Sequence, residues 1–324
     1  MSTMLGTNLT NNTPKGLMLH HFHGEDYKHD RSGSISAADF ERVILSIGID
    51  NFDNPLEWTE RTLCGDKGYK KWCITFDDGL RCQVDVALPI LKKYGLRAFW
   101  FVCSGPYLGE LPRLDLYRRF RHHYFEKVED FYTTFFEMLG IPMQSFEAHY
   151  VNWRSKMLDV FPFYTDMDLR YRYSRDYLLT KVSYEAAVDR LIERYSLSLR
   201  DLANEIWIAE EDLALLHGDG HVIGLHSHDH PTNFSELNHT AQVEQYERNF
   251  QFLNDAVGRV FAVSHPCGSY SSFTLGFLAS LGITIGFRSN LSRLGYLDSY
   301  PTALQMPRED IACILRQSAH GSVN

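Results

Sequence analysis

The chain has 324 residues, of which 44% are hydrophobic and 14% aromatic, and it carries a formal net charge of −9. This length and apolar content suit one large globular domain, with or without an insertion, and exclude a disordered chain. The negative charge argues against nucleic acid as a principal partner, because no dominant basic field exists to release counterions.

Targeting signals are not evident in the sequence. No apolar run approaches the ~18 residues of a membrane span, and the polar start MSTMLGTNLTNNTPKG lacks the apolar region of a secretory signal. The six cysteines are scattered without a CxxC motif, which predicts reduced thiols rather than disulfides or a thiolate zinc site. We therefore expect a cytoplasmic protein without a transmembrane segment.

The first hundred residues alternate between strand and helix patterns. The apolar segments LMLHHF, KWCITF and RAFWFVC are typical of short buried strands. Helical patterns lie between them, the first beginning after Ser36 and ending at Gly48, and the next ending at Gly95. This alternation predicts an α/β fold with a parallel sheet or barrel.

The pattern changes between about 106 and 206, where the chain is rich in Tyr, Phe and Arg at helical spacing. We expect an all-helical insertion there. Its basic run RRFRHHYF (118–125) has two interpretations. It could bind the phosphates of an activated sugar or an anionic lipid head, or it could be a solvated helix face with a buried aromatic stripe, which is the commoner case.

The α/β alternation resumes after residue 206. The segment HVIGLHSHDHP reads as a strand that runs into a His-rich loop. The next helix carries Val243, Tyr246, Phe250, Leu253 and Val257 on one apolar face. A further strand and loop, VFAVSHPCGSY, a helix and two short strand patterns complete the chain.

Two groups of polar residues follow strands. Asp77 and Asp78 end the strand KWCITF, and two like charges beside a core are costly unless a cation accepts one of them. His226 and His230 follow the strand VIGL, four residues apart. One carboxylate and two imidazoles would leave open positions on a divalent metal, as in a catalytic site. The alternatives are an Asp-Gly turn and a solvated His-rich turn.

The segments TFDDG (75–79) and HSHDH (226–230) resemble the first two motifs of the polysaccharide deacetylase family, carbohydrate esterase family four. This resemblance implies that Asp77 is the catalytic base. It also implies that Asp78, His226 and His230 hold the metal, and that Ser227 braces the loop.

The resemblance further implies a distorted (β/α) barrel of the polysaccharide deacetylase type. This domain would comprise residues 17–105 and 207–316, and residues 106–206 would be the helical insertion, which the resemblance does not cover.

A third motif is similar to FAVSHPCGSYS (261–271). The resemblance implies that Pro266 and Cys267, with the neighbouring His265, contact the substrate, and that a backbone N–H near Cys267 helps to bind the oxyanion. The Arg that usually lies near this proline is missing. Arg308, in MPREDI, could pair with Asp77 in its place or could form a surface salt bridge.

The general acid is the least determined residue. The family usually has a histidine just after its final strand, whereas ILRQSAHG has Arg316 first and His320 later. His320, His21 and His265 are therefore the candidates.

These residues and the resemblance predict a metal-dependent hydrolase that removes an N-acetyl group from a sugar. Zinc is the favoured ion because imidazole ligands select it over magnesium or calcium. The predicted substrate is an activated or lipid-linked intermediate of surface polysaccharide biosynthesis. Alternatives are another C–N hydrolase, such as a deformylase or a cyclic amidase, and a non-catalytic glycan-binding protein that retains the metal. We expect the insertion to extend the substrate cleft or to form a homo-oligomer contact.

Overall fold

The computed structural model describes residues 14–24, 33–66, 68–140, 146, 148–160, 164–289, 297 and 302–320. The chain divides into two compact units. We call Met1–Glu110 with Trp207–Asn324 the barrel unit, and Leu111–Ile206 the helical unit. Among the described residues, none of the helices is both long enough and apolar enough to span a membrane.

Nine strands are described. They are β1 (Lys15–Leu19), β2 (Phe22–His23), β3 (Ile35–Ser36), β4 (Trp72–Phe76), β5 (Ala98–Val102), β6 (Val222–Leu225), β7 (Ala262–Ser264), β8 (Ile285–Phe287) and β9 (Arg308–Asp310).

The described α-helices are α1 (Ala37–Ile47), α2 (Pro55–Leu63), α3 (Leu88–Tyr94), α4 (Arg113–His123), α5 (Val128–Leu139), α6 (Ala148–Val160), α7 (Asp166–Tyr173), α8 (Lys181–Arg194), α9 (Leu199–Ala203), α10 (Glu210–Gly218), α11 (His239–Val257), α12 (Ser272–Ser280) and α13 (Ile311–His320).

Seven of the strands form one parallel sheet in the order β8-β7-β6-β5-β4-β1-β9. Its two edges are joined by a parallel bridge between Phe287 and Met306, two residues before β9. The Met306 N–H donates to the Gly286 carbonyl at 2.7 Å, and the Arg288 N–H donates to the Met306 carbonyl at 2.9 Å. The sheet is therefore a nearly closed (β/α) barrel, as the sequence predicted.

The interior of the barrel is aromatic and apolar. Alternate residues of each strand point inward, and they form a cluster that includes Phe99, Phe101, Ile285 and Phe287. The small size of Gly224 permits this packing, since a Cβ there would lie 2.7 Å from the Phe101 ring. The cluster fills the interior of the barrel. Polar residues follow the strands at the end of the barrel where the carboxyl ends of the strands lie.

Strand alternation decides which polar residues face inward. On β4, Cys73 belongs to the interior cluster. Thr75 and then Asp77 follow at a spacing of two residues, so Asp77 continues the inward face just beyond the strand. On β7, Ala262 belongs to the interior cluster, and the buried Ser264 follows it at the same spacing of two residues. The site is therefore built at the carboxyl end of the barrel.

The described residues of the helical unit form α-helices and single turns around an aromatic core. Phe120 of α4 contacts Phe131 of α5 with 6.1 Å between ring centroids. The Tyr171 ring of α7 lies 5.4 Å from Phe131 and 5.1 Å from Phe135. The aromatic residues of α4, Tyr117 and Phe120, are thus buried, but the run 118–125 is not simply a solvated basic face over a buried aromatic stripe, because Arg121 is buried and Tyr124 is exposed.

The neutral imidazole of His221 joins β5 to β6, and this makes stability depend on pH. The Ala98 N–H donates to His221 Nδ1 at 3.0 Å, and burial lowers the pKa of His221 to about 4. Its pKa when unfolded is about 6.5. The free energy of unfolding that depends on the neutral ring is therefore fully present above about pH 6.5. It falls by up to about 3 kcal/mol as the pH falls toward 4.

We expect His221→Asn, whose side-chain oxygen can accept from the same N–H, to flatten the dependence of the free energy of unfolding on pH between 7 and 4. Urea denaturation at several pH values measures this. The exposed His217 on α10 provides the control His217→Asn, which should follow the unaltered chain. The same change in the free energy of unfolding with pH in all three proteins would contradict the assignment of this pH dependence to His221.

Candidate metal centre and active site

The turn after β4 separates the two aspartates. Asp78 has a left-handed backbone with φ of 72°, a conformation that costs roughly 1–3 kcal/mol in a non-glycine residue. Gln83 holds this turn from the start of the next helix. Its Nε2 donates to the Asp77 carbonyl at 2.6 Å and to the His20 carbonyl at 2.9 Å. The support from Gln83 keeps the two carboxylates in separate environments.

The loop after β6 is also strained. Ser227 and His230 both have a left-handed backbone, with φ of 65° and 55°. The His230 N–H donates to Ser227 Oγ at 3.2 Å, which is the bracing expected for Ser227. Such strain persists only where the surroundings over-determine the conformation, and it clusters at functional sites.

Helix α11 supplies part of these surroundings. Asn249 is fully buried; its Oδ1 accepts the His226 N–H at 2.9 Å, and its Nδ2 donates to the Val102 carbonyl at 2.9 Å. One turn earlier, Gln245 Oε1 accepts the N–H groups of His228 and Asp229, each at 3.0 Å. These two amides attach the histidine loop to the helix behind it.

His228 lies in this loop but points to other partners. Its Nδ1 lies 2.8 Å from Ser104 Oγ, and its Nε2 lies 3.0 Å from Glu110 Oε2. Glu110 in turn pairs with Arg248 of α11 at 2.5 Å. His228 therefore anchors the loop to the segment after β5.

Asp78, His226 and His230 converge, and all three are buried. The Nε2 atoms of His226 and His230 lie 3.2 and 3.4 Å from Asp78 Oδ1. His226 Nδ1 lies 2.8 Å from the Ser264 carbonyl, which can only accept, so this nitrogen carries the proton and Nε2 presents a lone pair.

With a neutral His226 ring two acceptors therefore face each other, and Asp78 Oδ1 and His226 Nε2 are both buried without a hydrogen-bond partner. Burial alone would lower the pKa of His226, but the charges of Asp77 and Asp78 raise it, so this pair of atoms favours a positive charge between them. Burial lowers the pKa of His230 to about 4, which favours the neutral ring that a metal requires. This donor set fits a divalent cation, and a cation would satisfy both orphaned atoms.

Asp77 has a different environment, in which Arg308 is its main partner. Arg308 Nη1 and Nη2 donate to the two carboxylate oxygens of Asp77, each at 2.7 Å. Ser264 Oγ donates to Asp77 Oδ2 at 3.1 Å. Burial alone would raise the pKa of Asp77, but the charge of Arg308 lowers it to about 2, so the carboxylate is ionised at neutral pH.

Arg308 reaches Asp77 from the edge of the barrel. It lies beside Gly16 in the register of β9 and β1, and a Cβ at residue 16 would lie 3.0 Å from Arg308 Cγ. Its Nε donates to the Arg288 carbonyl at 2.6 Å. The space at Gly16, which has no side chain, and the bond to the Arg288 carbonyl together fix the guanidinium of Arg308 beside Asp77.

Two histidines follow β1 at the same end of the barrel. His20 Nε2 lies 3.6 Å from Asp77 Oδ2, and its side chain is 37% exposed. A ring nitrogen of His21 lies within 4.8 Å of an Asp78 carboxylate oxygen. His20 was not among the sequence candidates, although it is adjacent to His21.

The other two acid candidates have different positions. His265 is buried, with Nε2 2.9 Å from the Leu304 carbonyl and its ring 4.4 Å from that of Tyr270. Burial lowers the pKa of His265 to about 4, which keeps it neutral. The side chain of His320 lies outside the described part of the chain.

Pro266, Cys267 and Gly268 form one tight turn after β7. The Gly268 N–H donates to the His265 carbonyl at 2.8 Å. Cys267 is exposed and has a left-handed backbone with φ of 52°. The turn thus presents its backbone beside the end of β7, the strand that contributes Ser264.

The fold and the cluster define a (β/α)-barrel protein with a candidate metal centre at the carboxyl ends of its strands. Residues 65–121 and 186–286 match the sequence pattern of the family described as polysaccharide deacetylase. The chain belongs to the polysaccharide deacetylase family, which confirms the resemblance found in its motifs.

Solved structures show the same fold. The Streptococcus pyogenes deacetylase PplD in complex with acetate has 16% identity and a TM-score of 0.53, with 94% of this chain and 97% of that chain covered. IcaB from Ammonifex degensii has 15% identity and a TM-score of 0.51, with 92% and 91% covered. A de-N-acetylase from Aggregatibacter actinomycetemcomitans has 12% identity and a TM-score of 0.51, with 92% and 95% covered. No curated protein sequence matches the chain.

The pair of Arg308 and Asp77 gives a prediction about stability. We expect Arg308→Met to lower the free energy of unfolding by about 3–5 kcal/mol, because it leaves the Asp77 carboxylate buried without its partner. Urea denaturation at neutral pH measures the change. The double variant Asp77→Asn with Arg308→Met should recover part of the loss, because neither charge remains. An unchanged free energy in the single variant would show that the pair is not coupled.

Proposed function

We propose that this protein is a metal-dependent hydrolase that removes the N-acetyl group from a sugar residue of a polysaccharide or of its precursor. The observation that carries this proposal is the pair of buried acceptors, Asp78 Oδ1 and His226 Nε2, facing each other at 3.2 Å beside His230. A cation is the simplest way to satisfy both. Membership of the polysaccharide deacetylase family supports the substrate class.

Asp78, His226 and His230 would hold the ion. Two imidazoles and one carboxylate suit zinc, and three protein ligands leave a position open for catalysis. When bound, such an ion lowers the pKa of a coordinated water and polarises a carbonyl. The remaining steps depend on side chains and backbone groups of the barrel unit.

Asp77 is the proposed general base. It is ionised and only 2% exposed, and Arg308 and Ser264 fix the orientation of its carboxylate. Asp77 takes the proton of the attacking water as the carbon–oxygen bond forms. Its fixed position means that little reorganisation is required during this step.

The oxyanion of the tetrahedral intermediate needs donors aimed at it. The proposed donor is the backbone N–H of Cys267, on the turn that begins at Pro266. The left-handed backbone of Cys267 supports this role, because strain of this kind is retained where a backbone group must be aimed. His265, the residue just before the turn, is itself fixed by its contact with the Leu304 carbonyl.

The leaving nitrogen must receive a proton, and we assign this role to His20. It lies 3.6 Å from Asp77 and its side chain is partly exposed, so it can reach both the base and a substrate. His21, the adjacent residue, lies on the Asp78 side of the site. His20 is favoured over His265 because it lies beside the base, whereas His265 is buried against the Leu304 carbonyl.

The substrate within the class is part of the proposal. We infer an N-acetylated sugar in an activated or lipid-linked intermediate of surface polysaccharide biosynthesis. The test is to incubate the zinc-loaded chain with N-acetylated nucleotide sugars, lipid-linked sugars and polymers, and to analyse the products by mass spectrometry. Loss of an acetyl group from at least one of them is expected. Release of formate, opening of a cyclic amide, or binding without turnover would contradict the proposal.

Substitution of each of the two adjacent aspartates should impair a different property of the enzyme. We expect Asp77→Asn to bind metal normally but to lower kcat by ~10²–10⁴-fold, the usual contribution of a general base, with KM little changed. Asp78→Asn, the matched variant one residue away, should lower the zinc content itself. Metal analysis and steady-state kinetics of both variants separate the roles. A wild-type rate in Asp77→Asn would exclude it as the base.

The two adjacent histidines provide a second matched pair. We expect His20→Gln to lower kcat by ~10²–10⁴-fold if it is the general acid, and to leave the zinc content unchanged. His21→Gln is its control and should cause the smaller loss. If His21→Gln instead causes the larger loss at unchanged zinc content, the role belongs to His21 and not to His20.

A further inference from the structure

Arg121, on α4 of the helical unit, is a buried cation. Only 8% of its surface is exposed. Its guanidinium carbon lies over the ring of Tyr171, 5.3 Å from the centroid. An arginine remains charged at every physiological pH, so burial cannot be relieved by loss of the proton.

This cation lacks a carboxylate partner among the described residues. Its hydrogen-bond contact is a long one, from Nε to His122 Nε2 at 3.5 Å. Two carboxylates of this unit bond to other groups. Asp176 accepts two bonds from Arg175, at 2.6 and 2.7 Å, and Asp168 accepts the hydroxyl of Tyr132.

Tyr171 does not replace such a partner. A cation–π contact at this distance offsets only part of the cost of removing a guanidinium from water. Buried charges in proteins are normally paired or hydrogen-bonded to saturation. Arg121 therefore has no carboxylate counter-charge in the described part of the helical unit, which is the situation expected of a site for an external anion.

The neighbours of Arg121 indicate what kind of counter-charge fits. His122 Nε2 also lies 3.4 Å from Nη1 of Arg118, so two guanidiniums meet at one ring. The planar fork of an arginine matches phosphate oxygens in a bidentate geometry. A small soluble ligand suits this burial better than a flat lipid surface does, because only 8% of Arg121 is exposed.

We propose that the helical unit binds a phosphoryl group of a small soluble ligand at Arg121, with Arg118 and His122 beside it. This assigns a binding role to the part of the basic run 118–125 that lies in α4. The site is independent of the proposed deacetylation, and its test needs no activity measurement.

The test uses the full chain and inorganic phosphate. We expect saturable binding in isothermal titration calorimetry, and a rise in melting temperature with phosphate that potassium chloride of equal ionic strength does not reproduce. Arg121→Met should weaken phosphate binding at least tenfold. The exposed Arg194 at the end of α8 gives the control Arg194→Met, which should bind as the unaltered chain does.

A purely structural role for Arg121 predicts other results. If Arg121 only supports the fold, Arg121→Met should melt at a lower temperature in phosphate-free buffer, and the unaltered chain should show no phosphate effect. That outcome would overturn the proposal. Should Arg121→Met fail to fold, Arg121→Lys keeps the charge but lacks the fork, and unchanged phosphate affinity in this variant would also overturn the proposal.

A second arm with uridine diphosphate identifies the source of the phosphoryl group. Tighter binding than inorganic phosphate, lost in Arg121→Met, would support a nucleotide-linked ligand. Equal binding of the two, lost in the same variant, would support a site for the phosphoryl group alone. Binding of neither would overturn the proposal.

Discussion

A carboxylate oxygen and an imidazole nitrogen, both buried, face each other at the end of the barrel, and the rest of the site depends on how the chain tolerates them. Asp78 Oδ1 and His226 Nε2 are 3.2 Å apart, and neither has a hydrogen-bond donor. While His226 is neutral and no cation is bound, both atoms lose their contacts with water and gain no partner, and the charges of Asp77 and Asp78 accordingly raise the pKa of His226 although burial alone would lower it. The strained backbones of Asp78, Ser227 and His230 hold them there.

The barrel gives the two adjacent aspartates different partners. Strand alternation turns Asp77 toward the interior, where the guanidinium of Arg308 binds both of its oxygens. The left-handed backbone at Asp78 turns the next carboxylate toward the histidines. One aspartate is thereby neutralised by a permanent cation of the protein, and the other remains available to an external one. This division explains why two like charges can be neighbours beside a core.

Much of this arrangement could be predicted from the sequence because the motifs are local. TFDDG and HSHDH each lie directly after a strand, and parallel strands bring their carboxyl ends together. The pairing of Arg308 with Asp77 could be suggested but not established, since it depends on the register of β9 beside β1 and on the space left by Gly16.

Other features could not be predicted from local patterns. The apolar face expected for α11 differs from the buried one, which includes the polar residues Gln242 and Asn249. Asn249 is buried because it forms a hydrogen bond with the histidine loop. The spacing of hydrophobic residues along a helix does not predict the burial of such a polar residue. Whether His20 or His21 faces Asp77 depends on the direction of the side chains just after β1. A shift of one residue along the chain reverses that direction.

The central claim is that the aspartates divide their roles, with Asp78 on the metal and Asp77 on Arg308. Anomalous X-ray scattering at the zinc absorption edge, from crystals grown with zinc, tests this most directly. The account predicts one ion bound by Asp78, His226 and His230, at about 2.0–2.2 Å from the oxygen and nitrogen ligands, with Asp77 still paired to Arg308. An ion coordinated by Asp77, or no anomalous signal among these three residues, would contradict it.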